Sequence, residues 1–166
     1  MISARPISKA PYENRSCHQW PGVIVEEKIE PLSEDDITRL ENQRSWVRDY
    51  FEPEARHKYD TIEGKLYLID AILKNNWISA KETWKLQSLG VVFGDTLVQS
   101  QGFKWVMIED EYGRDPTICV PGTTIKLHAL TMISKRVEDG EEVDVFELFD
   151  LLCERVEELK REFPIS

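Results

Sequence analysis

From Ser33 to about residue 101 apolar side chains recur at helical spacing and then give way to short extended runs, so the chain changes character near Gly102. A first helix is predicted from Ser33, with Glu34, Asp35 and Asp36 in its opening turn. Carboxylates there complement the helix dipole, and Asp36 stands at the third position of a capping pattern. Ile37, Leu40, Val47 and Phe51 make its apolar stripe, flanked by Trp46 and Tyr50, and Pro53 ends it. A second helix is predicted over 54–74, with Tyr59, Ile62, Leu66, Ile69 and Leu73 on one face and Asn75-Asn76 as its stop. So short a connection makes the two helices antiparallel neighbours.

Residues 79–110 join the two halves. Ser79 and Glu82 form a capping box for a third helix whose face is Leu86, Gly90, Phe93 and Leu97. Gly94 stacks one turn beyond Gly90. A glycine costs about 1 kcal/mol relative to alanine inside a helix, so the pair implies close approach of another backbone, from the second helix or the sheet. Gly102 fits the left-handed position past the helix end. Residues 103–110 are apolar on both faces, as a central covered strand requires. The turn at Glu111-Tyr112-Gly113-Arg114 leads into a strand at 117–120, and Pro121-Gly122 turns the chain again. A third strand is expected over 124–137, with Ile125, Leu127, Ala129 and Ile133 on one face and Lys126 and His128 on the other. Asp144 and Glu147 open a last helix with the stripe Leu148, Leu152, Val156, Leu159 and Phe163, closed by Pro164.

The expected fold class is therefore α+β: three N-terminal helices, a three-stranded antiparallel meander, and a C-terminal helix packed on the sheet. Residues 1–32, with Pro6, Pro11, Pro21 and Pro31, read as an irregular arm that includes a short extended piece at 22–25. Residues 33–166 read as one domain. At 166 residues such a chain buries roughly two thirds of its unfolded surface and needs no staples.

Composition narrows the function classes. No apolar run approaches the ~18 residues of a membrane helix, and the N-terminal residues lack the apolar centre of a signal peptide, so a cytoplasmic protein is expected. Cys17, Cys119 and Cys153 lack paired spacing, which argues against a disulfide framework or a zinc site. The net charge of −10 is uneven: residues 1–102 hold 13 basic and 16 acidic residues, and residues 103–166 hold 8 and 15. Such a field disfavours nucleic acid and favours basic partners.

Candidate chemistry is sparse. His57, Asp60 and Glu63, with Glu54 one turn earlier, fit a metal or general-base site only loosely, and a solvated helix face explains them better. His128 lies beside Lys126 and His18 lies in the arm, neither with a carboxylate or nucleophile near it in sequence. Cys153 falls by the buried stripe of the last helix, where thiols are inert. Glu109, Asp110, Glu111 and Asp115 lack the alternating oxygen ligands of a calcium loop and read as an acidic hairpin tip. Gly90 and Gly94 lie inside a helix and so do not form a phosphate loop. No catalytic residue, metal ligand or cofactor is assigned.

The acidic surface is the better signal. Glu147, Asp150, Glu154, Glu157 and Glu158 run along the last helix, and Glu138, Asp139, Glu141 and Glu142 precede it. Arg155, Lys160 and Arg161 compensate only in part. A solvated face accounts for such an excess; docking on a basic protein surface is the functional alternative. The partner-facing residues are taken to be Glu109, Asp110, Glu111, Glu147, Asp150, Glu154 and Glu158.

The run Leu89-Gly-Val-Val-Phe-Gly94, the strand Phe103-Lys-Trp-Val106, Asp110-Glu-Tyr-Gly113, and residues 135–145 (KRVEDGEEVDV) together resemble a bacterial family known as domain of unknown function 3806, over about residues 35–160. The resemblance implies a bacterial cytoplasmic protein of helices followed by a small sheet, and it brings no catalytic residue. The first functional reading is a non-enzymatic acidic binding protein, such as an immunity protein that neutralises a toxin. The second is a self-associating structural or regulatory domain, a homodimer wrapped by the N-terminal arm. The third is a hydrolase-type enzyme, which would bring His57, Asp60 and Glu63 together with His128 or Cys119.

Overall fold

A computed structural model describes residues 27–164. The sequence reading of residues 1–26, including the extended piece at 22–25 and the wrapping arm, lies outside the described residues. In chain order the elements are β1 (Lys28–Glu30), α1 (Glu34–Arg48), a 3-10 segment (Pro53–Asp60), α2 (Ile62–Lys74), α3 (Thr83–Gln101), β2 (Lys104–Asp110), β3 (Gly113–Cys119), β4 (Lys126–Leu127), α4 (Ala129–Glu138) and α5 (Val145–Glu162). The α+β class holds, and the antiparallel sheet has four strands in the order β1-β2-β3-β4, one more than expected. The extra strand comes from the end of the predicted arm, where Ile29 pairs with Ile108.

Local chemistry sets the helix starts. At α1 the capping box is complete: the Ser33 hydroxyl accepts the Asp36 amide at 3.2 Å, and Asp36 accepts the Ser33 amide at 2.9 Å. Its buried face is Asp36, Leu40, Gln43 and Val47, while Ile37 is exposed, contrary to the expected stripe. The face turned inward runs from Asp36, which Arg114 holds from the hairpin, and Ile37 lies beside it on the solvent side. The second helix begins at Ile62, eight residues later than expected, because Thr61 caps it by accepting the Gly64 amide at 3.0 Å. Residues Pro53–Asp60 wind instead as a 3-10 turn. The Ser79–Glu82 box is only half made: Ser79 N–H donates to Glu82 at 2.8 Å, no side chain caps the helix, and α3 starts at Thr83.

The third predicted strand is the main correction. Only Lys126 and Leu127 pair with β3; residues Ala129–Glu138 form α4. Ala129, Leu130, Ile133 and Ser134 are its buried positions, at the i, i+1, i+4, i+5 spacing of a helix face. The same run also fits period two, because Ile125, Leu127, Ala129 and Ile133 are all odd-numbered.

Helix α3 sits at the centre, packed on α1, α2, α4 and α5. Leu86, Leu89, Val91, Val92, Phe93 and Leu97 are fully buried in it. Its glycines admit α4: a Cβ on Gly90 would lie 2.5 Å from Leu130 O and 2.6 Å from Ala129 O, and one on Gly94 would meet the Trp105 ring at 2.6 Å. Close approach was expected; the neighbouring backbone is that of α4. Gly102 ends α3 in the left-handed conformation, φ 72°, as its position implied.

Candidate functional site

Asp144 fixes the start of α5 by accepting the amides of Phe146 and Glu147 at 3.1 and 3.0 Å. Val145 and Val156 are then buried, while Leu148, Phe149, Leu152, Cys153 and Leu159 pack against the core. Phe163, placed at the end of the buried stripe by sequence, is 61% exposed and follows the last helical residue, Glu162. The opposite face is the acidic one. Glu147, Asp150, Glu154 and Glu158 are all exposed, and 147, 151, 154 and 158 share a face, so the 56%-exposed Leu151 stands among the carboxylates. Glu158 pairs with Arg155 at 3.1 Å. No cation lies within ion-pair distance of Glu147, Asp150 or Glu154 among the described residues.

Next to this face the 139–144 turn, the end of α2 and the start of α5 enclose a groove of about 590 Å³. Leu73, Ile78, Val137 and Val143 form its apolar side, and Glu141, Glu142, Asp144 and Glu147 its rim, with Lys74 the one cation. Lys74 is itself paired with Asp70 at 2.8 Å. The arrangement offers aliphatic contact and several carboxylates at once, which suits a lysine or arginine side chain whose stem is apolar and whose head is charged.

The hairpin tip is a different place. Glu109 is registered between Lys28 and Arg114, and Asp110 accepts the Tyr112 amide at 2.8 Å. Arg114 ties the tip to α1 through Asp36. Helix α5 meets the chain at the other end of β2, where Lys160 donates to Gln101 O at 2.8 Å. Seven-residue strands span about 20 Å, so the two acidic groups named from sequence are not brought together at that end of α5; at the tip Glu109 and Glu111 are exposed and Asp110 is half-buried.

The residues of the enzymatic reading are separated. His57 is exposed on the 3-10 turn, with Nδ1 3.0 Å from Glu54 O. His128 stands at the start of α4, its Nδ1 3.3 Å from the Thr117 hydroxyl, and the cavity beside it is lined by Asp115, Thr131 and Lys135 but by none of His57, Asp60, Glu63 or Cys119. Burial pushes the thiols of Cys119 and Cys153 up, away from the reactive thiolate. Among the described residues no group of three or more His, Cys, Asp or Glu is placed to hold a metal ion, and no helix is long and apolar enough to cross a membrane.

Two groupings, one polar and one aromatic, join residues too far apart in the chain for the sequence reading to find. Arg44 donates to Asp95 at 2.7 and 2.9 Å, and Asp95 also accepts the Trp105 indole N–H at 2.9 Å, joining α1, α3 and β2. An aromatic cluster gathers Trp46, Tyr50, Trp77 and Trp84: Tyr50 and Trp77 stack at 5.6 Å, and Trp46 meets Tyr50 and Trp84 edge-on.

The fold is similar to that of a crystal structure from Bacteroides thetaiotaomicron, with 15% identity, 82% of this chain and 51% of that one covered, and a TM-score of 0.64. The chain thus spans about half the length of that solved chain, and the likeness concerns the fold alone. No curated protein matches. The sequence profile of the domain of unknown function 3806 matches residues 65–149, a shorter span than the 35–160 of the resemblance but just over half of the 166 residues, and the chain belongs to that family.

Proposed function

We propose that this protein is a non-enzymatic binding factor that docks a basic protein on α5 and the adjoining groove, in the manner of a cytoplasmic immunity protein neutralising a toxin. The observation that carries the reading is the groove of about 590 Å³ with an apolar side and Glu141, Glu142, Asp144 and Glu147 on its rim. It continues onto the unpaired carboxylates Asp150 and Glu154, with Leu151 as an apolar centre. Carboxylates without cationic partners keep their full field for a partner, where they speed encounter and set specificity, and the groove provides the contact that slows release.

The immunity role is tested by co-expression with proteins encoded beside it. A neighbour that stops growth alone and is tolerated with this protein supports the role; a neighbour set with no toxic member contradicts it. Capture of a second copy of the chain in place of a basic protein would favour self-association instead.

A further inference from the structure

A second site lies away from α5, in a well of about 140 Å³ between α1, α3, the start of α4 and the sheet. Leu40, Met107, Pro116 and Leu130 form its floor, while Asn42 and Gln43 from α1 face Gln87 from α3. Gln43 is 8% exposed and has no hydrogen-bond partner among the described residues. Its carboxamide is therefore left to the solvent in the well, with donors and acceptors free to meet a bound molecule. Asn42, Gln87 and Arg39 also lack partners among the described residues. Trp84 stands at the mouth, half exposed and held edge-on by Trp46 at 5.8 Å, so a ring surface is offered in a fixed orientation.

We infer that this well binds a single pyranose ring, as a free sugar or the end unit of a glycan. Size is the first argument: a cavity of about 150 Å³ takes a ring the size of benzene, so this well, open at Trp84, seats the ring of one pyranose with part of its hydroxyls left outside. Polarity is the second. The amides come from two helices, α1 and α3, and each carries both donors and acceptors, which the hydroxyls all round a pyranose can meet from either side. The apolar floor and the Trp84 ring suit the C–H faces of a sugar, and a protein of net charge −10 favours a neutral ligand over a phosphorylated one.

The test titrates the full chain, by calorimetry and tryptophan fluorescence, with glucose, galactose and mannose and their N-acetyl and uronic derivatives, and with uridine and diglycine. At least one pyranose should saturate at millimolar concentration or below, with uridine and diglycine weaker. Gln43→Leu should weaken it about tenfold or more while leaving the melting temperature unchanged or raised, since a purely structural glutamine would not separate the two. Gln87→Leu, at a half-buried position, should weaken binding without the risk of disturbing the core. Glu147→Lys on α5 should bind sugar normally, which keeps this inference separate from the docking proposal. Saturation by no pyranose, tighter binding of uridine or diglycine, or unchanged affinity in both glutamine variants would overturn it.

Discussion

Arg114, at the hairpin, holds Asp36, at the first turn of α1, through two parallel hydrogen bonds of 2.9 and 2.8 Å across 78 residues of sequence. The same carboxylate completes the capping box with Ser33, so one side chain both starts a helix and fastens the sheet to it. Arg114 and then the Ser33 amide hold the Asp36 carboxyl well below the usual carboxylate range. An unfolded aspartate titrates near about 3.9, so this contribution is complete above about pH 4 and is lost as pH falls through the lower folded value. Arg114→Met is therefore predicted to lower stability most at neutral pH, with the gap to the parent narrowing below about pH 4. Urea unfolding from pH 7 down to pH 2.5 measures it.

Asp95 serves two partners, Arg44 and the Trp105 indole, and its side chain is 15% exposed against 20% for Arg44. Asp95→Ala leaves a mostly buried guanidinium with only the half-exposed Glu41 at 3.7 Å, and a cost of about 2–3 kcal/mol is expected, below that of a fully buried pair. The double replacement Arg44→Met, Asp95→Leu should cost less than the single one. Chemical denaturation of the three proteins decides the order.

Gly90→Ala tests the α3–α4 contact. Alanine gains about 1 kcal/mol in helix propensity, but its Cβ would sit 2.5 Å from a backbone carbonyl of α4, which can yield only by moving the helix. A net loss of about 1–2 kcal/mol is expected from overpacking, and thermal unfolding reads it.

Period and punctuation made α1, the end of α3, β2 and α5 legible from sequence, because each depends on neighbours in the chain: Ser33 with Asp36, Gly102 after a helical run, Asp144 before an apolar stripe. The errors share a cause. Residues 129–138 carry a helix face whose apolar positions also fit alternation, and only packing against Gly90 and Gly94 selects the helix. The 3-10 turn depends on Thr61 capping in competition with Pro53, and β1 exists because β2 has a free edge to pair. At the candidate site, the acidity of α5 and the turn before it was visible, but the apolar side of the groove is gathered from α2 (Leu73), the α2–α3 connection (Ile78), the end of α4 (Val137) and the turn itself (Val143). Gln43 could have been noticed as a polar residue on the Leu40–Val47 face of α1; nothing local showed that Gln87 and Trp84 would stand across from it.

The account turns on the α5 face and its groove, and the most direct measurement is the affinity of the partner co-purified with this protein. It is taken by calorimetry for the parent and for Glu147→Lys, Asp150→Lys, Glu154→Lys combined, at low and high salt. All three residues are exposed, so the fold should persist. The prediction is a basic partner whose binding weakens as salt screens the carboxylates and falls at least a hundredfold on charge reversal. Equal affinity for both proteins, or affinity indifferent to salt, would contradict it.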